Sequence, residues 1–270
     1  MMNKKTHPRK RNFFEFIADL FLPPRCPVCK ALLPPGFTIC DDCSDKLNIC
    51  RTQTHYGDMS MMLPAAYFRS VEFDSFFAPF FYAGAVKDLL INFKFGSHPE
   101  IAGFIARQML PAAEQLLREG TVDAVTFVPI SRSRKRIRGY DQSEMIAKRI
   151  AKDLGIQFYD KAIEKVFDVP PQHEQKYFSR FGNVFGAYDA DESLCKDRHF
   201  LLIDDIATTG ATLNECAKML KIANAESVHC LTAAVVESKE NRNFYHNDDN
   251  KTVINAAGRF ESLKTTNPNR

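Results

Sequence analysis

The sequence predicts an α/β domain built on a parallel sheet, preceded by a small zinc-binding module. Three observations carry this expectation. From about Tyr82 to Glu237, stretches with helical apolar spacing alternate with short β-branched or aromatic runs, the pattern of repeated strand–helix units. Phe200–Ile203 is apolar without interruption, as a strand covered on both faces is. Four of the eight cysteines fall in two tight pairs, Cys26/Cys29 and Cys40/Cys43.

Residues 1–25 read as a basic arm and a short amphipathic helix. Phe13, Phe16, Ile17, Leu20 and Phe21 share a helical face, and Glu15 and Asp19 within the stretch argue against a signal-peptide core. Residues 26–50 hold the cysteine pairs, and 51–81 form a connecting or hood segment. Its phenylalanines Phe73, Phe76, Phe77, Phe80 and Phe81 require burial.

The main domain is expected over 82–238. Its first helix is Ala83–Phe95, with Val86, Leu89, Leu90 and Phe93 on one face. Pro99–Leu117 is the second, and Val122–Ile130 is a strand ended by Pro129. Asp141–Leu154 follows as a helix that turns Met145, Ile146, Ile150 and Leu154 inward, with Gly155 placed to close it. After Phe200–Ile203 come the helix Thr212–Ile222 and the strand Val228–Val236. Residues 239–270 are polar, Asn-rich and aperiodic, the composition of a disordered tail.

The formal charge of +3 on 270 residues does not by itself mark a nucleic-acid protein. No apolar run approaches the roughly 20 residues of a membrane span. A cytoplasmic location is the expectation, and there paired cysteines bind metal rather than form disulfides. Two Cys-x-x-Cys knuckles ten residues apart can set Cys26, Cys29, Cys40 and Cys43 tetrahedrally around one structural Zn²⁺. Cys50 and His55 fit that spacing less well. Cys195, Cys216 and Cys230 read as ordinary core or surface residues, and His229, inside a strand, as a core histidine.

Leu201-Leu-Ile-Asp-Asp-Ile-Ala-Thr-Thr-Gly-Ala-Thr212 has the chemistry of a sugar-phosphate site. Asp204 and Asp205, expected to end the strand, can accept hydrogen bonds from vicinal ribose hydroxyls. Thr208, Thr209, Gly210, Ala211 and Thr212 bring hydroxyls and backbone N–H groups to the positive end of the next helix. Gly210 lets the backbone approach an anion closely. A Walker-type loop is excluded, because no Gly-Lys-Ser/Thr follows.

This segment resembles the phosphoribosyl pyrophosphate motif of type I phosphoribosyltransferases. Val128-Pro129-Ile130, the basic run Arg132–Arg138, Arg138-Gly139-Tyr140-Asp141-Gln142, Arg180–Tyr188 and Lys94-Phe95 resemble motifs of the ComF-type competence proteins, in the same order. Three departures stand out: Tyr140 and Asp141 replace the usual Phe and Asn, and Val169-Pro170-Pro171-Gln172 lacks a Thr before the Gln. The resemblance implies a phosphoribosyltransferase-like fold that binds 5-phosphoribosyl-1-pyrophosphate with Mg²⁺. Asp204 and Asp205 would act at the ribose, and Arg134, Arg136 and Arg138 on a basic loop over the pyrophosphate. It implies either phosphoribosyl transfer to a nitrogen nucleophile or a non-catalytic competence role, with single-stranded DNA and competence-machinery proteins as partners. Asp141 would place extra negative charge beside the pyrophosphate.

Overall fold

The computed structural model describes residues 24–52, 70–96, 98–166 and 186–236, together with the backbone of 252–254 and 260–262. The basic arm, the amphipathic helix, His55, Val169–Gln172 and Arg180–Phe185 lie outside the described residues.

The sheet is assembled from β1 (Ser75–Phe77), β2 (Phe80–Phe81), β3 (Ala124–Phe127), β4 (Gln157–Phe158), β7 (His199–Ala207) and β8 (Ser227–Val235). Its order is β1-β8-β7-β3-β4, with β2 also on β8, and every pairing is parallel. Parallel strands need crossovers. These run through α2 (Gly84–Phe95), α3 (Ile101–Arg118), α5 (Gln142–Leu154) and α7 (Ala211–Ile222). A separate antiparallel pair, β5 (Ile163–Lys165) with β6 (Tyr188–Ala190), leads into the short α6 (Glu192–Cys195). In the unit 237–270, β9 (Thr252–Ile254) pairs antiparallel with β10 (Phe260–Ser262).

Alternation along the central strands builds two cores. Val125, Phe127, Leu201, Ile203 and Leu231 face one, with α2, α3 and α5. Ala124, Phe200, Leu202, Val228 and Cys230 face the other, with α7 and the β5–β6 pair. Burial on both faces explains the unbroken apolar run in β7. Of the phenylalanines that required burial, Phe76 and Phe77 of β1, Phe80 of β2 and Phe73 just ahead of β1 are buried, and Phe81 is half-buried. Cys195, Cys216 and Cys230 are buried core residues, and His229 bonds Ser75 Oγ at 2.7 Å.

Two boundaries correct the sequence expectation. β7 runs past Asp204 and Asp205 to Ala207, because Ile206 and Ala207 still pair with Ala234 and Val235 of β8. The basic run expected as a loop is a helix, α4 (Arg132–Arg138). Ser131 caps it by accepting from Arg134 N, and Gly139 closes it in the left-handed region at φ 81°. Arginine and lysine are good helix formers, and cations suit the last turn.

Candidate functional site

The carboxyl end of β7 sits in the middle of the parallel sheet, where such sheets bind ligands. Asp204 and Asp205 share this position but have different partners. Ser143, in the first turn of α5, donates to Asp204 Oδ1 at 2.8 Å, and so does the Asp205 N–H. Asp205 is buried and pairs with Lys94 Nζ at 3.0 Å, from the last turn of α2. Burial, and then the neighbouring Asp205, push the Asp204 carboxyl well above the usual range; Ser143 and Lys94 pull the other way. One lysine therefore serves two crowded acids. Two acids so placed can take further positive charge or hydrogen-bond donors.

Immediately after β7, Thr208 is exposed, and Thr209, Ala211 and Thr212 are half-buried. Gly210 is buried and left-handed at φ 75°, forming the N-cap of α7 without a side-chain cap. Thr209 Oγ1 accepts from Ala211 N at 3.3 Å. The five loop residues thus lie at one helix N-terminus, next in the chain to the acidic pair. Glu215, one turn along α7, is buried and accepts from Gly186 N at 2.9 Å. That bond ties the helix to the start of the segment carrying β6.

The basic residues divide. Arg138 donates to Gln142 Oε1 at 3.0 Å, and its guanidinium lies 5.3 Å from the centroid of the Phe95 ring. Lys135 pairs with Glu144 at 2.5 Å. Arg132, Arg134 and Arg136 are exposed. Arg134 lies within electrostatic reach of Tyr188, as do Asp204 and Asp141. Burial raises the Tyr188 pKa, the acids add to that, and Arg134 opposes it. Arg134 and Asp204 thus both act on Tyr188, whereas Arg138 is turned toward Phe95 of α2.

Asp141 corrects another expectation. Its side chain is buried at the N-terminus of α5, where Oδ1 accepts from Ser143 N and Glu144 N and Oδ2 from Ile130 N, at 3.0–3.2 Å. The carboxylate serves as a helix cap and is not an open charge facing a pyrophosphate. Burial raises its pKa against those hydrogen bonds. Lys94 and Ser143 are the site residues that pattern reading missed as participants. Lys94 was legible as half of Lys94-Phe95, and Ser143 as a hydroxyl in the first turn of a helix.

The cysteine module is compact. Cys40 is the N-cap of α1 (Asp41–Ile49), which buries Cys43 and Leu47. Lys30, at φ 66°, turns the first knuckle back, with its N–H bonded to Cys26 O at 2.8 Å. All four sulfurs lie within 4.8 Å of one another, and those of Cys29 and Cys40 are 3.6 Å apart. A tetrahedral Zn²⁺ with bonds of about 2.3 Å puts its sulfurs about 3.8 Å apart, so the four thiols fit it. Burial disfavours the Cys26 thiolate, yet the N–H groups of Cys29, Cys40 and Val28 bring its pKa down to about 7. Burial and the neighbouring thiols push Cys43 strongly up. Four adjacent thiolates need a cation. Cys50 Sγ points instead to the carbonyls of Lys46 and Ala83, at 3.7 and 3.5 Å.

Comparison with known proteins agrees with both modules. Residues 141–261 match the phosphoribosyl transferase domain family, and residues 17–55 the double zinc ribbon domain. The DNA utilization protein YhgH of Escherichia coli K12 is 28% identical over 155 residues, covering 56% of this chain and 68% of that protein. Competence protein F of Haemophilus influenzae is 26% identical over 152 residues, covering 54% of this chain and 66% of the relative. A purine phosphoribosyltransferase from Pyrococcus horikoshii is 18% identical, covering 50% of this chain and 85% of that one, with a TM-score of 0.32. The glutamine phosphoribosylpyrophosphate amidotransferase of B. subtilis is 22% identical over 53% of this chain and only 30% of its own, at a TM-score of 0.35. Family matches, sheet topology and the four-cysteine cluster together give the assignment. The chain carries a phosphoribosyltransferase-type domain behind an N-terminal double zinc ribbon, and it is a distant homologue of the YhgH and ComF-type competence proteins.

Proposed function

We propose that the chain binds 5-phosphoribosyl-1-pyrophosphate at the carboxyl end of β7 and transfers its phosphoribosyl group to a nitrogen nucleophile. The observation that carries this reading is the junction of Asp204 and Asp205 with the Gly210 helix N-terminus. The loop N–H groups and threonine hydroxyls suit the 5-phosphate. The two carboxylates suit the ribose diol. In the transfer, the C1–O bond to pyrophosphate breaks with its electron pair on the leaving oxygen. The C1–N bond forms, and the nucleophile's proton goes to solvent. Arg134 and Arg136 would stabilise the departing charge, while the acids face a C1 centre that turns cationic. Mg²⁺ brought in on the pyrophosphate would neutralise part of its charge, and oxygen donors such as these acids are the kind it takes.

A second reading is favoured by one surface. Phe95 is 71% exposed beneath Arg138, and Ile137 is 83% exposed within the basic α4. An open aromatic ring among cations suits a single-stranded nucleic acid, whose bases stack while its phosphates meet arginine. The relatives named for DNA utilization and competence lend this reading support. A cytoplasmic setting is compatible with both. Among the described residues no helix is long and apolar enough to cross a membrane.

Calorimetry with Mg²⁺ and the donor tests the first reading. Asp204→Asn with Asp205→Asn should weaken binding by about one to two decades for each lost charge-assisted bond, at about 1.5–3 kcal/mol apiece. A double variant that binds like the parent would place the ribose elsewhere. Pyrophosphate release across a panel of bases then separates transfer from mere binding. If DNA uses the exposed Arg132, Arg134 and Arg136 of α4, three neutralised phosphates would give a log–log salt slope near −2.1, from about −0.7 per contact. Arg134→Ala with Arg136→Ala should then weaken DNA and donor alike. A lack of competition between the two would send the DNA to another surface.

A further inference from the structure

One helix touches both the zinc ribbon and the acidic pair. On the ribbon side, Val86, Leu89, Leu90 and Phe93 of α2 share a core with Cys26, Leu33, Ile39, Cys43 and Leu47. Lys30, in the first knuckle, donates to Asn92 Oδ1 at 3.2 Å. Cys50 Sγ donates to the Ala83 carbonyl just ahead of the helix, and a Cβ on Gly84 would meet that sulfur at 3.4 Å. On the site side, Lys94 Nζ holds Asp205 at 3.0 Å. The Phe93 carbonyl next to it accepts from Tyr140 OH at 2.6 Å and Gln142 Nε2 at 3.4 Å.

We propose that α2 is a brace through which the four-cysteine metal centre positions Lys94 on Asp205, so that metal occupancy and sugar-phosphate binding are coupled. The ligand in this proposal rests on the phosphoribosyl reading above; the brace itself does not. A module with so few apolar residues between its knuckles takes its folding energy from the metal. Without it, the core that α2 shares with the ribbon loosens. A 12-residue helix is marginal without tertiary packing. Its last turn frays first, and Lys94 leaves with it. Asp204 and Asp205 then stand side by side without their ammonium, and an anionic donor meets two uncompensated acids. Lys94 is in this sense a positioning residue, and the ribbon is its support.

Linkage makes the idea measurable in both directions, because the factor by which zinc tightens the donor must equal the factor by which the donor tightens zinc. The full-length zinc-loaded protein is titrated with a chromophoric chelator, with and without saturating donor and Mg²⁺. We expect the donor to raise zinc affinity roughly 5- to 150-fold, the usual span for coupled sites. Lys94→Met should still bind one zinc but bring the factor close to one. A zinc affinity that does not change while the donor is bound overturns the proposal. If the zinc-loaded protein binds no donor, the phosphoribosyl reading falls and amide hydrogen exchange decides the brace. Zinc removal should then speed exchange along Asn92–Phe95, as Lys30→Met should more weakly with zinc in place. Faster exchange confined to residues 26–50 would overturn it.

Discussion

Burial raises the pKa of Asp204 and the adjacent Asp205 raises it further, so the residue that suits a ribose hydroxyl also works against the fold. A carboxyl whose folded pKa lies above its unfolded value binds its proton more tightly in the native state. Its contribution is therefore fully present at low pH and is lost as pH climbs from about 4. Asp204→Asn removes that loss. Its Tm should exceed the parent's at pH 7, by about 2–4 °C for each kcal/mol relieved, and the difference should vanish below about pH 4. A variant no more stable than the parent at pH 7 would show that Lys94 and Ser143 already compensate the pair. The sequence made the two acids legible as neighbours of a phosphate-type loop. It did not separate them, because their difference comes from Lys94 and Ser143, on helices far away in the chain.

Helices were legible where caps and periodicity agreed, as in α5, where Asp141 and Gly155 stand at the two ends. In α4 the charge density suggested an exposed loop, although Ser131 and Gly139 are a cap pair in the sequence. Composition misled there because a seven-residue helix has no buried face to generate periodicity. Asp141 shows how one residue reads differently once its element is known. As a cap accepting three N–H groups on its two oxygens, it should lose more with Ala than with Asn. Asp141→Ala should cost about 1–2 kcal/mol, seen as a lower urea midpoint at unchanged slope. Asp141→Asn should lose less than Ala, since its one oxygen can still cap Ser143 and Glu144, but its amide NH2 would face the Ile130 N–H. Equal losses in both variants would mean that the ionised carboxylate itself is required.

For the whole molecule, the α/β class and the metal module could be read from the chain, whereas strand order could not. Strand order depends on partners far apart in sequence, and nothing in Phe73–Phe81 names β8 as its mate. The metal module makes the simplest global test. Elemental analysis should find about one Zn²⁺ per chain, unchanged by Cys50→Ser, because Cys50 faces the Ala83 carbonyl and not the cluster. Iron, or no metal, would refute the assignment.

The parallel pairing of β1 with β8 also bears on how the protein is made. Ser75 lies opposite His229, and the two are 154 residues apart. At about 5–20 residues per second, a ribosome needs roughly 8–30 s to reach the second strand after completing the first. Through that interval Phe76, Phe77 and Phe80 have no sheet to join, and a β edge rich in phenylalanine is open to the wrong neighbour. The nascent chain therefore passes through a period in which it depends on whatever shields apolar segments during synthesis. Slowing translation between residues 80 and 227 should lengthen that exposure and lower the yield of folded protein.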